Sequence, residues 1–292
     1  MPQPRDDEVE ITSRERVVFP DGSFTKGDLA DYCRALAPAM LPFLAGRPVS
    51  LVRCPQGIEQ HCFFQKHRTG SFGPHVLSVE IEEKEGDVEP YLYVESAGGI
   101  LECVQMGAVE FHLWASHAAD IEKPDRMVFD LDPAEGLGFA EVAAAASDIR
   151  AGLERQGLAS FAMLTGGKGV HVVVPLTPGA SWDAHRGFAE GFAKALAEDQ
   201  PGRFTATMSK EKRKGKVFID WLRNTRGSTA IAPYSPRARP GAPVAAPVSW
   251  EELAGMDELK RFTLADAGEL LARAGDGALK GWGVAGQGLP AS

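Results

Sequence analysis

The stretch Met127-Val128-Phe129-Asp130-Leu131-Asp132-Pro133 joins an apolar run to two carboxylates and a proline. The run predicts a strand, and because side chains alternate along a strand, Asp130 and Asp132 project from the same face. Pro133 cannot continue a hydrogen-bonded ladder, so the pair is expected at the rim of a sheet. Two carboxylates held this close repel each other unless a cation lies between them, and Mg²⁺ and Mn²⁺ prefer such oxygen ligands.

A third carboxylate, Asp220, ends the apolar run that begins at Val217. A charge there is costly unless it is paired or bound to a metal, and three carboxylates from two strands are the smallest set for a two-metal phosphoryl-transfer site. The alternative is that these aspartates only cap turns and strand ends. The D-x-D pair also occurs in many glycosyltransferases and in haloacid-dehalogenase phosphatases, although Ala134 stands where the phosphatase pattern has Thr or Val.

The segment Thr165-Gly166-Gly167-Lys168-Gly169 connects two further apolar runs. Glycines allow backbone N–H groups to approach an anion, and Lys168 adds a positive charge, so the segment has the ingredients of a phosphate cradle. It lacks the spacing of a P-loop, and an ordinary glycine-containing β-hairpin is the alternative interpretation. His171, two residues further on, is either a core residue or a phosphate ligand. Thr165 and His171 on either side of the turn favour a nucleoside triphosphate.

Strands and helices are mixed along the chain without strict β-α-β alternation, which predicts the α+β class. A short apolar run stands at 16–20, and strands are predicted at 49–53, 91–94, 100–104, 108–113, 160–164, 169–175 and 217–222. A helix is predicted to follow Thr25 and to be closed by Pro42 and Gly46-Arg47-Pro48; further helices are predicted at 139–156 and 182–198, with short helices from Trp250 and Leu264. We expect one domain over residues 1–292, built from two packed, mainly antiparallel sheets with flanking helices, and a flexible tail at 281–292.

The composition excludes several classes of protein. With 44% hydrophobic and 24% charged residues among 292, the chain can bury a core, so disorder is not expected. No apolar run approaches the length of a membrane span, and the polar stretch Met1 to Glu10 does not resemble a signal peptide. The net charge of −9 is unlike that of non-specific nucleic-acid binders, so any DNA contact requires local basic patches. The densest basic run, Lys210 to Lys216, is either a solvated turn or such a patch.

The four cysteines, Cys33, Cys54, Cys62 and Cys103, show no C-x-x-C pairing. This pattern predicts reduced thiols in a cytoplasmic protein. A zinc cluster of Cys54, His61, Cys62 and His67 is the alternative, although its spacing fits no standard structural site.

The three segments Asp130 to Pro133, Thr165 to His171 and Ile219-Asp220 resemble, in order, the three motifs of archaeo-eukaryotic primase-polymerases. More narrowly, the chain resembles the polymerase domain of bacterial ATP-dependent DNA ligase D, from about Val9 to Asp276. The supporting segments are 19–20, 25–29, 51–55, 62–67, 110–114, 222–224, 227–229 and 232–239.

The resemblance implies a primase-polymerase-like fold and a role for each matching residue. The catalytic and metal-binding residues are Asp130, Asp132 and Asp220, which would hold two Mn²⁺ or Mg²⁺ ions. The residues that bind the incoming nucleoside triphosphate are His112, Thr165, Lys168, His171, Arg223, Arg237 and Arg239. The DNA-binding residues are Arg16, Lys26, Phe63, Phe64 and Lys66, with Arg16 and Lys26 on the 5′-phosphate of the downstream strand. The chain departs from the family pattern at Arg16, Thr165 and Cys33, where Lys, Ser and Tyr are usual.

The implied activity is template-directed addition of nucleotides, ribonucleotides in preference, to 3′ ends and gaps in non-homologous end joining. The implied partners are DNA ends with a gap or overhang and a 5′-phosphate, a Ku-type end-binding protein and a separate ligase, in a bacterial cytoplasm and on the nucleoid during repair. No K-x-D-G ligase motif and no His-rich phosphoesterase segment is found in the sequence. The alternatives are a metal-dependent phosphatase or nuclease that uses the same carboxylates, and a non-catalytic DNA-end-binding module.

Overall fold

The computed structural model describes residues 9–275 and 277–290. Met1 to Glu8, most of the polar N-terminal stretch considered above, lie outside the described residues. The strands are β1 Val17–Phe19, β2 Phe24–Thr25, β3 Val49–Arg53, β4 Phe63–Gln65, β5 Val76–Glu82, β6 Val88–Val94, β7 Ala108–Leu113, β8 Arg126–Pro133, β9 Phe161–Leu164, β10 Val170–Pro175, β11 Phe204–Thr205, β12 Val217–Asp220, β13 Ala230–Ile231 and β14 Ala246–Val248. The helices are α1 Lys26–Leu44, α2 Ala97–Gln105, α3 Phe139–Arg155, α4 Trp182–Asp199, α5 Trp250–Ala254 and α6 Ala267–Gly275.

The chain folds into two compact units, and the prediction that they form a single domain stays a prediction. The first unit contains residues 9–121, 231–245 and 261–275 of the described chain. The second contains residues 122–230, 246–260 and 277–290.

The second unit is built on a six-stranded sheet with the order β11-β12-β8-β10-β9-β14. All its pairs are antiparallel except β11 with β12. Strand β8 lies inside this sheet. Phe129 and Leu131 project from the face opposite the two carboxylates, and both are fully buried. The alanine-rich helix α3 packs against β8 and β10 through a buried stripe that includes Val142, Ile149 and Leu153. The sequence therefore supplies a sheet buried on the side opposite its aspartates.

The first unit contains a four-stranded sheet with the order β13-β7-β3-β4 and two antiparallel ribbons, β1-β2 and β5-β6. Helix α1 begins with a capping box formed by Thr25 and Asp28 and packs against α2 and α6. Helix α1 continues through Pro42 and ends at Leu44, between the two predicted stops, Pro42 and Gly46-Arg47-Pro48. Pro38 and Pro42 are four residues apart on the exposed side of α1, where water can satisfy the carbonyl groups that lose their amide partners. The predicted α+β class is confirmed, with the two ribbons in addition to the two larger sheets.

The predicted strand at 100–104 is wrong, because these residues form the second half of helix α2. The Ser96 hydroxyl accepts a hydrogen bond from the Gly99 amide and caps the start of this helix. Ile100, Leu101 and Val104 are all buried, so the helix is apolar around most of its circumference. A mainly apolar run of five residues is too short to show the helical periodicity that would distinguish it from a buried strand.

The prediction that all four cysteines are reduced thiols is wrong for Cys54 and Cys62, which form a disulfide. The antiparallel register of β3 and β4 pairs Arg53 with Phe63, so the next residues outward, Cys54 and Cys62, meet with 4.4 Å between their Cα atoms. The pairing also removes the two thiolates that the alternative zinc cluster would need. Cys33 and Cys103 are free and buried.

Residues 281–290 of the expected tail are held against the second unit. The Trp282 indole donates a hydrogen bond to the Ala162 carbonyl, at 2.9 Å. The Gln287 side-chain amide bonds both backbone groups of Ala159 and the carbonyl of Pro175. Trp282 and Gln287 thus bond backbone groups of the second unit, and the composition of the segment does not reveal these bonds. None of the helices in the described part of the chain has the length and hydrophobicity needed to cross a bilayer.

Candidate active site

Three ionisable side chains of the second unit form a row across the centre of its sheet. The register pairs Asp130 of β8 with Asp220 of β12 on one side and with His171 of β10 on the other. The His171 imidazole lies 3.4 Å from an Asp130 carboxylate oxygen. Asp132 follows Asp130 by two residues and therefore projects from the same face. The structure thus brings together the three predicted aspartates and one predicted phosphate ligand.

Arg223 lies among these carboxylates. Its guanidinium contacts Asp130 at 3.2 Å through Nη2 and Asp220 at 3.3 Å through Nε. The side chain reaches back because strand β12 ends at Asp220 and the chain turns at once into a 3₁₀ turn at Leu222–Asn224. A carboxylate oxygen of Asp220 accepts the Leu222 amide hydrogen bond, which stabilises this turn. Arg223, predicted to bind nucleotide phosphates, is here the counter-ion of the aspartates.

The three carboxylates differ in their protonation equilibria. Burial opposes ionisation of Asp130, but the charges and hydrogen bonds of His171 and Arg223 outweigh it and lower the pKa of Asp130. Burial, followed by the negative charges of Asp130 and Asp220, raises the pKa of Asp132. Burial also raises the pKa of Asp220, because it outweighs the nearby Arg223 charge. The face therefore carries more negative charge than its own cations neutralise.

This donor set suits a divalent cation. The negative charge of Asp130 raises the pKa of both Asp132 and Asp220, a repulsion that a hard cation would relieve, and carboxylate oxygens are the ligands that Mg²⁺ and Mn²⁺ prefer. Within residues 9–275 and 277–290, no group of three or more His, Cys, Asp or Glu side chains stands in a ready metal-binding arrangement. Arg223 supplies the positive charge between Asp130 and Asp220 instead, and a metal ion bound by these carboxylates would have to displace the guanidinium.

The predicted phosphate turn joins β9 to β10 beside this row. Both the amide and the hydroxyl of Thr165 bond the Gly169 carbonyl, and the Gly167 amide bonds the Thr165 hydroxyl. A Cβ atom on Gly169 would lie 2.5 Å from the Leu131 carbonyl oxygen, so glycine lets the turn approach β8 closely. Lys168 is exposed and forms no ion pair with any described residue. The turn closes an antiparallel hairpin, as one interpretation predicted, and the phosphate cradle stays a prediction.

The remaining predicted nucleotide-binding residues, His112, Arg237 and Arg239, belong to the first unit. His112 and Arg237 share one buried partner, Glu110. Arg239 follows on the same loop and is exposed.

The predicted aromatic platform lies on β4. Phe64 is 70% exposed, so it is not a core residue. Its ring contacts the edge of His112, with 5.8 Å between ring centroids. Phe63 is half-buried beneath the Arg53 guanidinium, which lies 5.2 Å from its ring centre. An exposed ring beside a supported one is suited to stacking on an unpaired base.

The predicted 5′-phosphate ligands, Arg16 and Lys26, line one cavity of about 200 Å³ together with Arg53. Lys26 is almost fully buried, and its ammonium donates to the Thr12 carbonyl at 3.0 Å and to the Gln105 side chain at 2.7 Å. Burial and the nearby Arg16 charge lower the pKa of Lys26. A cavity that concentrates three cations attracts an anion.

Lys66, also predicted to bind DNA, is engaged elsewhere. Its ammonium forms a 2.6 Å ion pair with Glu83 and a 3.0 Å hydrogen bond with the Tyr91 hydroxyl. The basic run at 210–216 forms an exposed 3₁₀ turn at Glu211–Arg213, as its solvated-turn interpretation requires.

Sequence reasoning missed three supporting residues of these sites. The Asn224 side chain bonds both the amide and the carbonyl of Val128, which fixes the 3₁₀ turn to β8. Arg53 supports the Phe63 ring and lines the cationic cavity. Glu110 contacts two predicted ligands. All three residues lie inside segments that resemble the family. Only Glu110 could have been noticed from its local sequence, because it is a charged residue within an apolar strand.

Comparison with known proteins gives consistent results. The family model described as "LigD, primase-polymerase domain" matches residues 25–278. The multifunctional non-homologous end joining protein LigD of Pseudomonas aeruginosa is 38% identical over 256 residues, which are 88% of this chain and 30% of that protein. The bifunctional LigD of Bacillus subtilis is 30% identical over 246 residues, 84% of this chain and 39% of that protein. The chain thus spans about a third of the length of these relatives.

A solved structure is also similar. The polymerase domain of Mycobacterium tuberculosis ligase D in complex with DNA superposes with a TM-score of 0.87 at 33% identity, covering 94% of this chain and 97% of that one.

Proposed function

The chain belongs to the LigD primase-polymerase domain family, and from that premise we propose that it adds nucleotides to DNA 3′ ends and gaps during non-homologous end joining. One observation carries the proposal: Asp130, Asp132 and Asp220 lie on one face of two paired strands, with Arg223 as their counter-ion. A polymerase domain of this family uses metal ions and nucleotides.

We propose that the three aspartates hold two divalent ions, with manganese preferred over magnesium. Ions bound there supply the Lewis acidity that activates a 3′-hydroxyl and neutralises a triphosphate. The chain's own residues prepare the site: His171 keeps Asp130 ionised, and Arg223 neutralises the carboxylates until a ligand replaces it. No side-chain base would be required if the three aspartates hold an ion that lowers the pKa of the 3′-hydroxyl.

Cations are proposed to bind the incoming triphosphate. In the second unit Lys168 and Arg223 supply positive charge and Thr165 shapes the turn; His171 borders the aspartates. In the first unit the family resemblance assigns the same substrate to His112, Arg237 and Arg239. Ribonucleotides are the proposed preference, on the resemblance alone.

The first unit is proposed to bind the DNA end. Phe63 and Phe64 stack on the template or downstream base, contributing about 1–3 kcal/mol per stacked base. Arg16 and Lys26 bind a 5′-phosphate, and Lys66 contacts DNA only after exchanging its Glu83 partner. A Ku-type protein and a separate ligase are the proposed partners, and the bacterial cytoplasm, with association to the nucleoid during repair, is the proposed location.

Extension of a labelled, gapped duplex with a 5′-phosphate tests the function, with manganese and nucleoside triphosphates present. We expect the unmodified protein to lengthen the primer strand. Asp132→Asn should lower the extension rate by at least about a hundredfold, because it removes charge that binds the cations. Affinity for the same duplex, measured by fluorescence anisotropy, should not change. Asp199→Asn, an exposed aspartate at the end of α4, is the matched control and should extend normally.

Other outcomes would contradict the proposal. Shortening of the labelled strand by the unmodified protein would indicate a nuclease, and binding without any change in length would indicate a non-catalytic end-binding module. Equal loss of extension and of duplex affinity in Asp132→Asn would show that the aspartates are structural.

A further inference from the structure

Glu110 is a buried carboxylate on β7 with three partners in the first unit. Its side chain is 8% exposed. One oxygen, Oε2, lies 2.7 Å from His112 Nε2 and 3.3 Å from Arg237 Nε. The other, Oε1, accepts a 2.8 Å hydrogen bond from the Ala238 amide. Burial opposes its ionisation, but His112, Arg237 and the Ala238 amide outweigh this and lower the pKa of Glu110 to about 2.

The location of Glu110 follows from the strand. Glu110 and His112 are two residues apart on β7, so they share a face. The loop at 232–239 runs along the same strand, because the Ala232 amide bonds the Phe111 carbonyl and the Phe111 amide bonds the Ser235 hydroxyl. Glu110 adds a third attachment at Ala238, directly beside the two arginines.

This arrangement orients both side chains and the backbone that carries them. The ion pair with Glu110 uses the Nε atom of Arg237, so the two Nη atoms are not part of this contact. Two such nitrogen atoms can bind a phosphate in a bidentate manner. Arg239 continues from Arg237 through a 2.8 Å backbone hydrogen bond, so an anchored Ala238 also restrains Arg239. A side chain that is already ordered loses less conformational entropy when it binds a ligand.

Two effects of Glu110 on an incoming anion oppose each other. Its negative charge repels a triphosphate, but the Arg237 guanidinium compensates that charge at contact distance and His112 is hydrogen-bonded to it. Its ordering of two side chains and one loop favours binding, because ordered groups lose less conformational entropy when the ligand binds. Since the charge is already compensated, we expect the ordering effect to decide the outcome.

We propose that Glu110 is the positioning residue that holds His112, Arg237 and the loop of Arg239 in the conformation that binds the triphosphate. This inference rests on the proposed function, in which those three residues bind the nucleotide. It assigns Glu110 no contact with the substrate.

Steady-state kinetics of Glu110→Gln test the inference. Glutamine keeps the size and can still accept the Ala238 bond, but it lacks the charge that orients His112 and Arg237. We expect KM for the nucleotide to rise about tenfold or more, the combined ordering of two side chains, while kcat falls much less and affinity for the gapped duplex is unchanged. The matched control is Glu102→Gln, a buried glutamate of α2 whose carboxylate accepts the backbone amide hydrogen bonds of His75 and Val76.

An unchanged KM, or a fall in kcat and duplex affinity in proportion to unfolded protein, would overturn the proposal. Thermal unfolding of both glutamine variants measures that fraction. A merely structural role for Glu110 would lower all activities together and would not change KM selectively.

A measurement without nucleotide separates this inference from the proposed function. In a ¹H–¹⁵N spectrum, the His112 Nε2–H signal, assigned by its loss in His112→Gln, should be protected from exchange in the unmodified protein by its hydrogen bond to Glu110 and lose protection in Glu110→Gln. An equally protected signal in Glu110→Gln would overturn the inference even if primer extension succeeds. Failure of the unmodified protein to extend a primer would overturn only the proposed function.

Discussion

His185 and Glu110 are both buried ionisable side chains, yet their surroundings stabilise different charge states. Glu110 stays ionised because the Arg237 guanidinium, the His112 ring and the Ala238 amide all contact its carboxylate. His185 on α4 is fully buried, and neither of its ring nitrogens has a hydrogen-bond partner among the described residues. Burial lowers the pKa of His185 to about 4, against a smaller opposing effect of the Asp125 charge. His185 is therefore neutral in the folded protein at pH 7.

This neutral histidine should make the protein's stability depend on pH. Between pH 6.5 and 4 the unfolded state binds a proton that the folded state does not, so the free energy of unfolding rises with pH across this window and falls on acidification. The full effect is about 3 kcal/mol, the free-energy equivalent of the pKa difference. Urea titrations of the unmodified protein and of His185→Leu at several pH values measure it. A difference between the two that stays constant from pH 7 to 4.5 would contradict the assignment.

The hairpin of β9 and β10 shows how one residue fixes the position of an element. Strand β10 brings His171 beside Asp130 only because the preceding turn can approach β8. Gly169 allows this approach because it has no side chain. A Cβ atom at this position would collide with the Leu131 carbonyl oxygen. That oxygen belongs to a backbone in the interior of the sheet, so it cannot move aside as a flexible side chain could.

Gly169→Ala should therefore displace the hairpin. We expect a loss of about 1–3 kcal/mol in the free energy of unfolding, the usual cost of an added carbon in a packed interior, together with slower primer extension as His171 shifts from Asp130. Gly179→Ala is the matched control, because nothing lies within 4 Å of its added Cβ atom. Denaturant midpoints compare the two variants. Equal midpoints would show that the close approach does not hold the hairpin.

At the scale of the whole molecule, net charge and local charge have opposite signs where DNA is proposed to bind. The chain has 31 basic and 40 acidic residues, a net charge of −9. Against this background, one cavity of the first unit gathers Arg16, Lys26 and Arg53. A negatively charged protein repels DNA at long range, so its affinity depends on such local concentrations of cations.

We expect recognition of the 5′-phosphate to depend on this cavity. The double variant Arg16→Gln/Lys26→Gln should lower the ratio of affinities for 5′-phosphate over 5′-hydroxyl gapped duplexes by about tenfold or more, since a hydrogen bond to a charged group contributes about 1.5–3 kcal/mol. Anisotropy titrations at one salt concentration measure the ratio. Arg186→Gln/Lys194→Gln, on the surface of α4, removes the same charge and should leave the ratio unchanged. An equal fall in both variants would indicate a general effect of charge.

The amino-acid sequence by itself determined what depends on near neighbours. The alternation of one strand placed Asp130 and Asp132 on the same face, and the alanine-rich segment that forms α3 is helical as predicted. The motifs and their order along the chain identified the family, because each motif combines residue types with a particular chemistry. The short, mainly apolar run at 100–104 in α2 was the exception, since it is too short to show a helical periodicity.

Only the tertiary structure decided which distant side chains meet. The register between strands placed Asp220 opposite Asp130 and Cys54 beside Cys62. Glu110 and Ala238 are 128 positions apart in the chain, yet they share a hydrogen bond. Local backbone geometry depends on a few successive residues, whereas strand register and the partners of a buried charge depend on how the entire core packs.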